Sequence, residues 1–316
     1  MKPFELKTIR LRFQLGEVEL FSNRAPALVL KPEATVGDLD AAARAAYVKF
    51  VNAEGADCLV AFGQPVTDAL SPIGWRAGCV RFAGHQYFRS TVRLDGTFED
   101  YLAAMPGPRR SRLKRKVTRA AKALFGLRVA VFKTEDEMRE FHAIAVALSK
   151  KTYQESLFGK GIRTDSDFVS DMLVRARNSA TGVRGFVLYG NGEPIAFSYL
   201  VGDGEVLLCE MLGYDPKFAE WSPGNVLQFY VLQHLFASNE YSTFDFGEGD
   251  SQFKSTFATD SIPCADVFYF RASPVGLALA TSQATSHFAS IWGARVLQRF
   301  GWKAKVKHFL RRAMGR

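Results

Sequence analysis

Apolar residues along this chain alternate in some stretches and recur at helical spacing in others, and the switches between the two periods predict its elements. Leu6 to Phe13 and Ala27 to Leu30 read as strands, and Asp38 to Asn52 as a helix. Cys58 to Phe62 and Gln86 to Leu94 read as further strands. From Thr97 the period turns helical, with Thr97 and Asp100 spaced as a capping box and Pro106-Gly107-Pro108 breaking the run. A second helix from Arg109 carries Leu113, Val117, Ala120, Ala121 and Leu124 on one stripe.

Leu127 to Phe132 is then expected as a strand, followed by helices over Glu135 to Lys150 and Ser166 to Asn178. Gly185 to Tyr189, Glu193 to Val201 and Glu205 to Tyr214 predict an antiparallel meander, because Asn191-Gly192 and Asp203-Gly204 are hairpin turn pairs. Asn225 to Phe236 is apolar on nearly every side, which predicts a buried helix. Thr243 to Phe246 and Val267 to Phe270 complete a sheet. The fold class is α/β (α+β). The expected order is an α/β lobe over 1–126 ending in a basic helix, a domain over 127–271 with a mixed, mostly antiparallel sheet flanked by helices, and a basic helical tail over 272–316.

Composition sharpens this in two places. A hydrophobic content of 47% across 316 residues supports packed cores and excludes wholesale disorder. The net charge of +9 belongs to the tail: beyond Asp266 there is no acid, while Arg271, Arg295, Arg299, Lys303, Lys305, Lys307, Arg311, Arg312 and Arg316 are basic. The remaining 32 basic residues balance the 32 acidic ones, so no general DNA-binding surface follows. The four cysteines are scattered, form no metal-type pair, and no metal is expected. His234 lies in an apolar helix, where packing is the plainer role. The N-terminus lacks an apolar signal region, and 272–294, though uncharged, is rich in Ser, Thr and Gln, so a reducing cytoplasm is the expected compartment. From Ile291 the tail has Val306, Phe309, Leu310 and Ala313 on one side. That suits an anionic membrane surface at the inner face or packing on the body, and Gly293 and Gly301 argue against one long rigid helix.

Candidate chemistry concentrates at Phe244 to Phe257, FDFGEGDSQFKSTF. An alternating strand breaks at Gly247-Glu248-Gly249-Asp250, where two glycines allow a sharp turn. Asp245, Glu248, Asp250 and Lys254 are expected together at a sheet edge, as an amine-handling site or as a charged surface turn. Upstream, Arg109, Arg110, Arg112, Lys114, Arg115, Lys116, Arg119 and Lys122 crowd one helix, with no acid between Asp100 and Glu135. Such mutual repulsion predicts an anion nearby, either phosphate groups of a ligand or a membrane surface, or else a solvated face.

Glu193-Pro194-Ile195-Ala196, Gly213-Tyr214-Asp215-Pro216, Ser222-Pro223-Gly224 and FDFGEGDSQFKSTF, with Arg109 to Ala123 and Ser149 to Glu155, resemble the CelD-type (cellulose-biosynthesis) acetyltransferase-like family over about residues 97–260. That family is a branch of the GNAT superfamily with kinship to the FemAB transferases. The resemblance implies tandem GNAT-like lobes and transfer of an acyl group from acyl-CoA, or another thioester such as an acyl carrier protein's, to an amine or hydroxyl by direct attack in a ternary complex. A saccharide, exopolysaccharide or cell-envelope acceptor is the implied partner. It also implies a donor pyrophosphate on the helix N-terminus at Ser222, Gly224 and Asn225, although the superfamily's glycine-rich loop with arginine or glutamine is replaced here. Glu210, between apolar neighbours on the preceding strand, is the candidate base, with Asp250 its rival and Lys254 a partner or anion ligand. Phe253 and Lys254 stand where many members carry a tyrosine acid, so the proton donor to the thiolate is unassigned. Thr152, Tyr153 and Gln154 occupy the acceptor-selecting loop, and Arg109 and Arg112 are candidate phosphate contacts. Two other functions compete: an aminoacyl-tRNA-dependent FemAB-like transferase and a non-catalytic binding module of the same fold.

Overall fold

The structure, a computed structural model, describes residues 4–15, 18–30, 41, 43, 56–152, 161–178, 182–249 and 251–299. In chain order come strands β1 (Phe4–Leu15), β2 (Val18–Leu30), β3 (Cys58–Pro65), β4 (Ile73–Arg76) and β5 (Cys79–Arg93). Helices α1 (Phe98–Ala104) and α2 (Gly107–Ala123), strand β6 (Arg128–Phe132), and helices α3 (Glu135–Ser149) and α4 (Ser166–Ala176) follow. Strands β7 (Val183–Gly190), β8 (Glu193–Asp203) and β9 (Val206–Tyr214) lead through a 3-10 helix, Pro216–Trp221, to α5 (Pro223–Ser238). The chain ends with β10 (Thr243–Glu248), α6 (Gln252–Phe257), β11 (Asp260–Phe270) and α7 (Pro274–Arg299).

Two compact units result, Met1–Phe88 with Ile262–Arg316, and Arg89–Ser261. This differs from the expected succession of 1–126, 127–271 and 272–316: the basic helix α2 falls in the second unit, and α7 returns to the first. In the first unit β1 and β2 pair antiparallel from Phe4↔Leu30, β2 pairs parallel with β3, and β3 pairs antiparallel with β11. Val29, Val60, Phe82 and Phe270 form a core with Leu279, Ala280 and Ala284 of α7. That buried stripe explains why α7 belongs here, and α7 runs on through Gly293, where the sequence suggested a break. Of the helix expected over 38–52, Ala41 and Ala43 are helical and the rest lies outside the described residues, as do 300–316 of the tail. Among the described residues no helix is long and apolar enough to cross a membrane.

The second unit is a mixed sheet in the order β10-β9-β8-β7-β6, with the end of β5 beside β10. Every pair is antiparallel except β9 with β10. Asn191 (φ 55°) and Gly192 (φ 80°) both adopt the left-handed conformation that a two-residue hairpin requires, as their sequence predicted. Alternation along β7 gives the sheet its two faces. Phe186 and Leu188 join Val226, Leu227, Val231 and Leu235 of α5, while Val183 and Val187 join Met138, Phe141 and Met172 of α3 and α4. His234 of α5 packs edge-on against Phe186 at 5.4 Å, and burial holds its pKa below the ordinary histidine value. The Thr97–Asp100 capping box forms as expected, and the buried Tyr101 hydroxyl donates to the Phe257 carbonyl at 2.6 Å, tying α1 to α6.

Gly185 lies under Phe141, whose ring would stand 2.5 Å from an added Cβ. G185A is expected to lower stability by about 1–3 kcal/mol through overpacking, read as a lower midpoint in urea denaturation. An unchanged midpoint would mean that Phe141 turns aside at no cost.

Candidate functional site

β10 pairs with β9 at only three positions, Thr243↔Val206, Phe244↔Leu207 and Asp245↔Leu208. Beyond them β9 stays with β8 as far as Ala196↔Tyr214, and β10 stays with β5 at Glu248↔Arg89. The sheet therefore opens between these two strands. On the β10 side, Asp245 is 2% exposed, ion-pairs with Arg89 of β5, and accepts the Gly247 N–H at 2.7 Å. The register with β5 slips between Asp245 and Glu248, and Gly247 (φ 73°) and Gly249 (φ 89°) turn the chain away. On the β9 side, Tyr199 faces Met211 and Leu200 faces Cys209, so Glu210 is the extra residue of a bulge. Bulges bend a strand and re-aim its side chains.

The acidic turn differs in part from its sequence-based expectation. Asp245 is buried against Arg89 instead of standing at the edge with the other charges, because only there is its carboxylate matched by a cation and an N–H. Lys254 Nζ donates to the carbonyls of Gly247 at 3.1 Å and Glu248 at 2.5 Å, closing the turn, while Ser251 caps α6 by accepting the Lys254 N–H. Asp250 lies outside the described residues.

Past the opening, β9 meets the first turn of α5. Ser222 is left-handed (φ 53°, ψ 51°), ends the 3-10 helix, and offers α5 no side-chain cap. Its carbonyl accepts the N–H groups of Asn225 at 3.0 Å and Val226 at 3.2 Å. A Cβ on Gly224 would stand 3.3 Å from Leu212 of β9, so glycine gives the close approach there. Helix α2 borders this turn: Lys116 Nζ donates to Asn225 Oδ1 at 3.2 Å, and the Arg119 guanidinium stacks 4.8 Å over Trp221. Burial, reinforced by Arg112, pushes the Lys116 pKa down, the signature of a cation lacking a compensating anion.

The remaining cations of α2 divide by role. Arg109 donates to Ser255 O at 2.8 Å and Ala258 O at 3.4 Å, closing the C-terminus of α6, and Arg110 donates to Ala103 O at 3.0 Å at the end of α1. Arg112 is exposed. Arg109 thus has a helix-capping place, while Lys116 and Arg119, which the sequence did not single out, flank the α5 turn. Their i, i+4 spacing from Arg112 and Arg115 put them on a shared face, but eight cations left the relevant face unmarked.

Glu210 is exposed on β9, with Arg163, Asp171 and Arg175 near enough to act on its carboxyl. Desolvation raises its pKa above the ordinary glutamate value, with Arg175 and Arg163 pulling the other way and Asp171 adding to the rise. Its neighbours Cys209 and Met211 pack on opposite faces, with α5 and with α3–α4 respectively. Thr152 is buried: its hydroxyl donates to Ser149 O at 2.8 Å and an added Cβ at Gly213 would meet its methyl at 3.1 Å. Lys151 Nζ reaches Asp215 Oδ2 at 3.0 Å, joining this segment to the approach to Ser222. Tyr153 and Gln154 lie outside the described residues.

Comparison with known proteins bears on the family and the fold. Residues 108–255 match the family model of the acetyltransferase (GNAT) domain. No match was found among curated protein sequences. A C-terminal domain of a lysylphosphatidylglycerol synthetase from Agrobacterium fabrum has a similar fold, with TM-score 0.53 and 14% identity over 88% of this chain and 87% of that one. A protein from Bacteroides thetaiotaomicron VPI-5482 is similar at TM-score 0.55 and 11% identity, over 86% of this chain and 84% of that one. FemX is similar at TM-score 0.52 and 9% identity, over 87% of this chain and 90% of that one. The family match is to the GNAT acetyltransferase domain and not to the CelD type in particular. Within this mixed α/β, mostly antiparallel fold flanked by helices, residues 108–255 are thus a GNAT-type, acyltransferase-like domain.

Proposed function

We propose that the Arg89–Ser261 unit transfers an acyl group from acyl-CoA to an amine or hydroxyl by direct attack in a ternary complex. One observation carries this: the opening between β9 and β10 leads to a helix N-terminus bordered by cations that have no carboxylate in their contacts among the described residues. A donor pyrophosphate there would meet the Gly224 N–H, the positive end of the α5 dipole, the Ser222 hydroxyl, Lys116 and Arg119. Gly224 lets this turn pack closely on Leu212 of β9. Bound acyl-CoA would supply the activated carbonyl carbon that exchanges its sulfur for the acceptor's nitrogen or oxygen. Glu210 takes the acceptor's proton; partial desolvation gives its carboxylate the higher basicity that this role uses, and Arg163 and Arg175 limit the rise. An exopolysaccharide or cell-envelope acceptor is supported by the CelD-type resemblance.

A second reading is an aminoacyl-tRNA-dependent transferase, in line with the FemAB kinship. The fold likeness to FemX and the basic surface of α2 favour it. The two separate on the donor. Thermal-shift titration with CoA and acetyl-CoA is expected to raise the unfolding temperature in proportion to RT ln(1 + [L]/Kd). K116A should weaken that binding by about 1.5–3 kcal/mol, the worth of a hydrogen bond to a charged group. No shift with either thioester carrier, together with steeply salt-dependent tRNA binding, would replace the first reading with the second.

Glu210 also makes a pH prediction. Its folded pKa is above the unfolded one, so the folded state holds the proton more tightly. Its ionisation therefore costs stability progressively as pH rises from the ordinary glutamate value through the raised one. E210Q is expected to unfold at a higher temperature than the wild type at neutral pH, with the two curves converging in acid. Parallel curves at all pH values would show that the carboxyl is not desolvated.

A further inference from the structure

Helix α2 has a side that neither the donor site nor the packing of the second unit uses. Leu113 and Ala120 are 1% and 0% exposed and turn one side of the helix into the core. Arg115 and Lys122 each follow them by two residues, about 200° round the axis, and stand exposed on the side turned away. Arg112 and Lys114 flank them and are exposed as well. Among the described residues none of these four makes a hydrogen bond or an ion pair, whereas Arg109, Arg110, Lys116 and Arg119 are all engaged within the unit. The 17-residue helix has no acid of its own, so about 25 Å of outward surface is positive without local compensation.

This row ends at Phe125, which at 88% is the most exposed of the described large hydrophobic residues. Its backbone is held in place. Leu124 before it is buried, and Leu127 after it packs against the same core. Between them the Phe125 N–H donates to Asn191 Oδ1 at 2.9 Å, its carbonyl accepts the Asn191 N–H at 2.7 Å, and left-handed Gly126 (φ 65°) turns the chain. The ring makes no aromatic contact among the described residues. A single exposed ring is common on protein surfaces. One held at the end of an uncompensated cationic row matches a partner that is anionic outside and apolar beneath.

We propose that the outward side of α2, together with Phe125, is a docking surface for an anionic lipid bilayer. Arg115 and Lys122, flanked by Arg112 and Lys114, meet the headgroups, and the Phe125 ring enters the interface beside them. Nucleic acid is the other polyanion of suitable charge, and two features favour lipid over it. The outward side of one straight helix is convex and meets a plane along its length, whereas single strands are held in grooves. Phe125 also has no hydrogen-bonding group for a base edge and no second ring with which to hold a stacked base. No hydrogen bond, ion pair or ring contact joins Arg115, Lys122 or Phe125 to the α5 turn among the described residues, so docking is separate from donor binding.

The test is flotation of the full chain with vesicles of phosphatidylcholine alone, or of phosphatidylcholine and phosphatidylserine in equal parts. The wild type is expected to float with the anionic vesicles only and to be released as salt is raised. R115A/K122A is expected to lower partitioning about thirty-fold, the worth of two cations at an anionic surface, and F125A about ten-fold. F125W is expected to keep the wild-type partitioning and to gain fluorescence quenching by brominated acyl chains, which reports insertion of that side chain. All these side chains are exposed, so the urea midpoint and CoA affinity of each variant are expected to match the wild type's. Failure of this inference therefore leaves the donor reading standing. A wild type with no preference for anionic vesicles would overturn it. So would flotation that R115A/K122A and F125A leave unchanged, because the contact would then lie elsewhere. Absent flotation, with tRNA affinity that falls in R115A/K122A, would assign the row to nucleic acid and overturn it as well.

Discussion

The candidate site depends on a parallel strand pair that stops after three positions. Parallel neighbours normally continue until one of them ends, so a pair that separates early needs a cause on each strand. On β10 the cause is a buried carboxylate: Asp245 is anchored to Arg89 and to the Gly247 N–H, which pins the strand to β5 while left-handed Gly247 bends it away. On β9 it is the bulge at Glu210, which changes the register with β8 and redirects the strand. Breaking a buried ion pair leaves an uncompensated charge, so the Asp245–Arg89 contact holds the opening far more firmly than an exposed pair would.

The same constraint places the chemistry. Beyond Leu208 the bulge puts Cys209 and Met211 on opposite faces and leaves Glu210 at a spot crowded enough to raise its pKa but open enough to exchange protons. At the far end of β9, the missing side chain at Gly224 lets the first turn of α5 approach the strand. Helix α2 then lies alongside with cations that no acid neutralises among the described residues. Two of its arginines instead cap neighbouring helices through carbonyl oxygens, which fixes α2 against α1 and α6 and so holds Lys116 and Arg119 at the α5 turn. Positioning cations and structural cations are thus different residues of one helix.

Local chemistry was legible wherever a few neighbouring residues decide the outcome. The Asn191-Gly192 hairpin, the Thr97–Asp100 capping box, the burial of most of α5 and the glycine turn after Phe246 each follow from the conformational range or polarity of adjacent side chains. Glu210 was visible as an acid among apolar residues, but its bulge was not, because a bulge is a relation between the registers of two strands. Asp245 looked like part of an exposed acidic turn; its burial depends on Arg89, more than 150 residues earlier in the chain. The first unit was hidden for the same reason, since β3 finds its partner in β11 from the far end of the sequence.

By itself, then, the sequence determined the order and type of elements, the turns, and a mixed α/β class, because these depend on side chains within a turn or two of each other. Tertiary structure alone decided which of eight cations face the α5 turn and where β9 and β10 separate. Those outcomes depend on contacts between distant segments, whose geometry and dielectric surroundings exist only once the chain has folded.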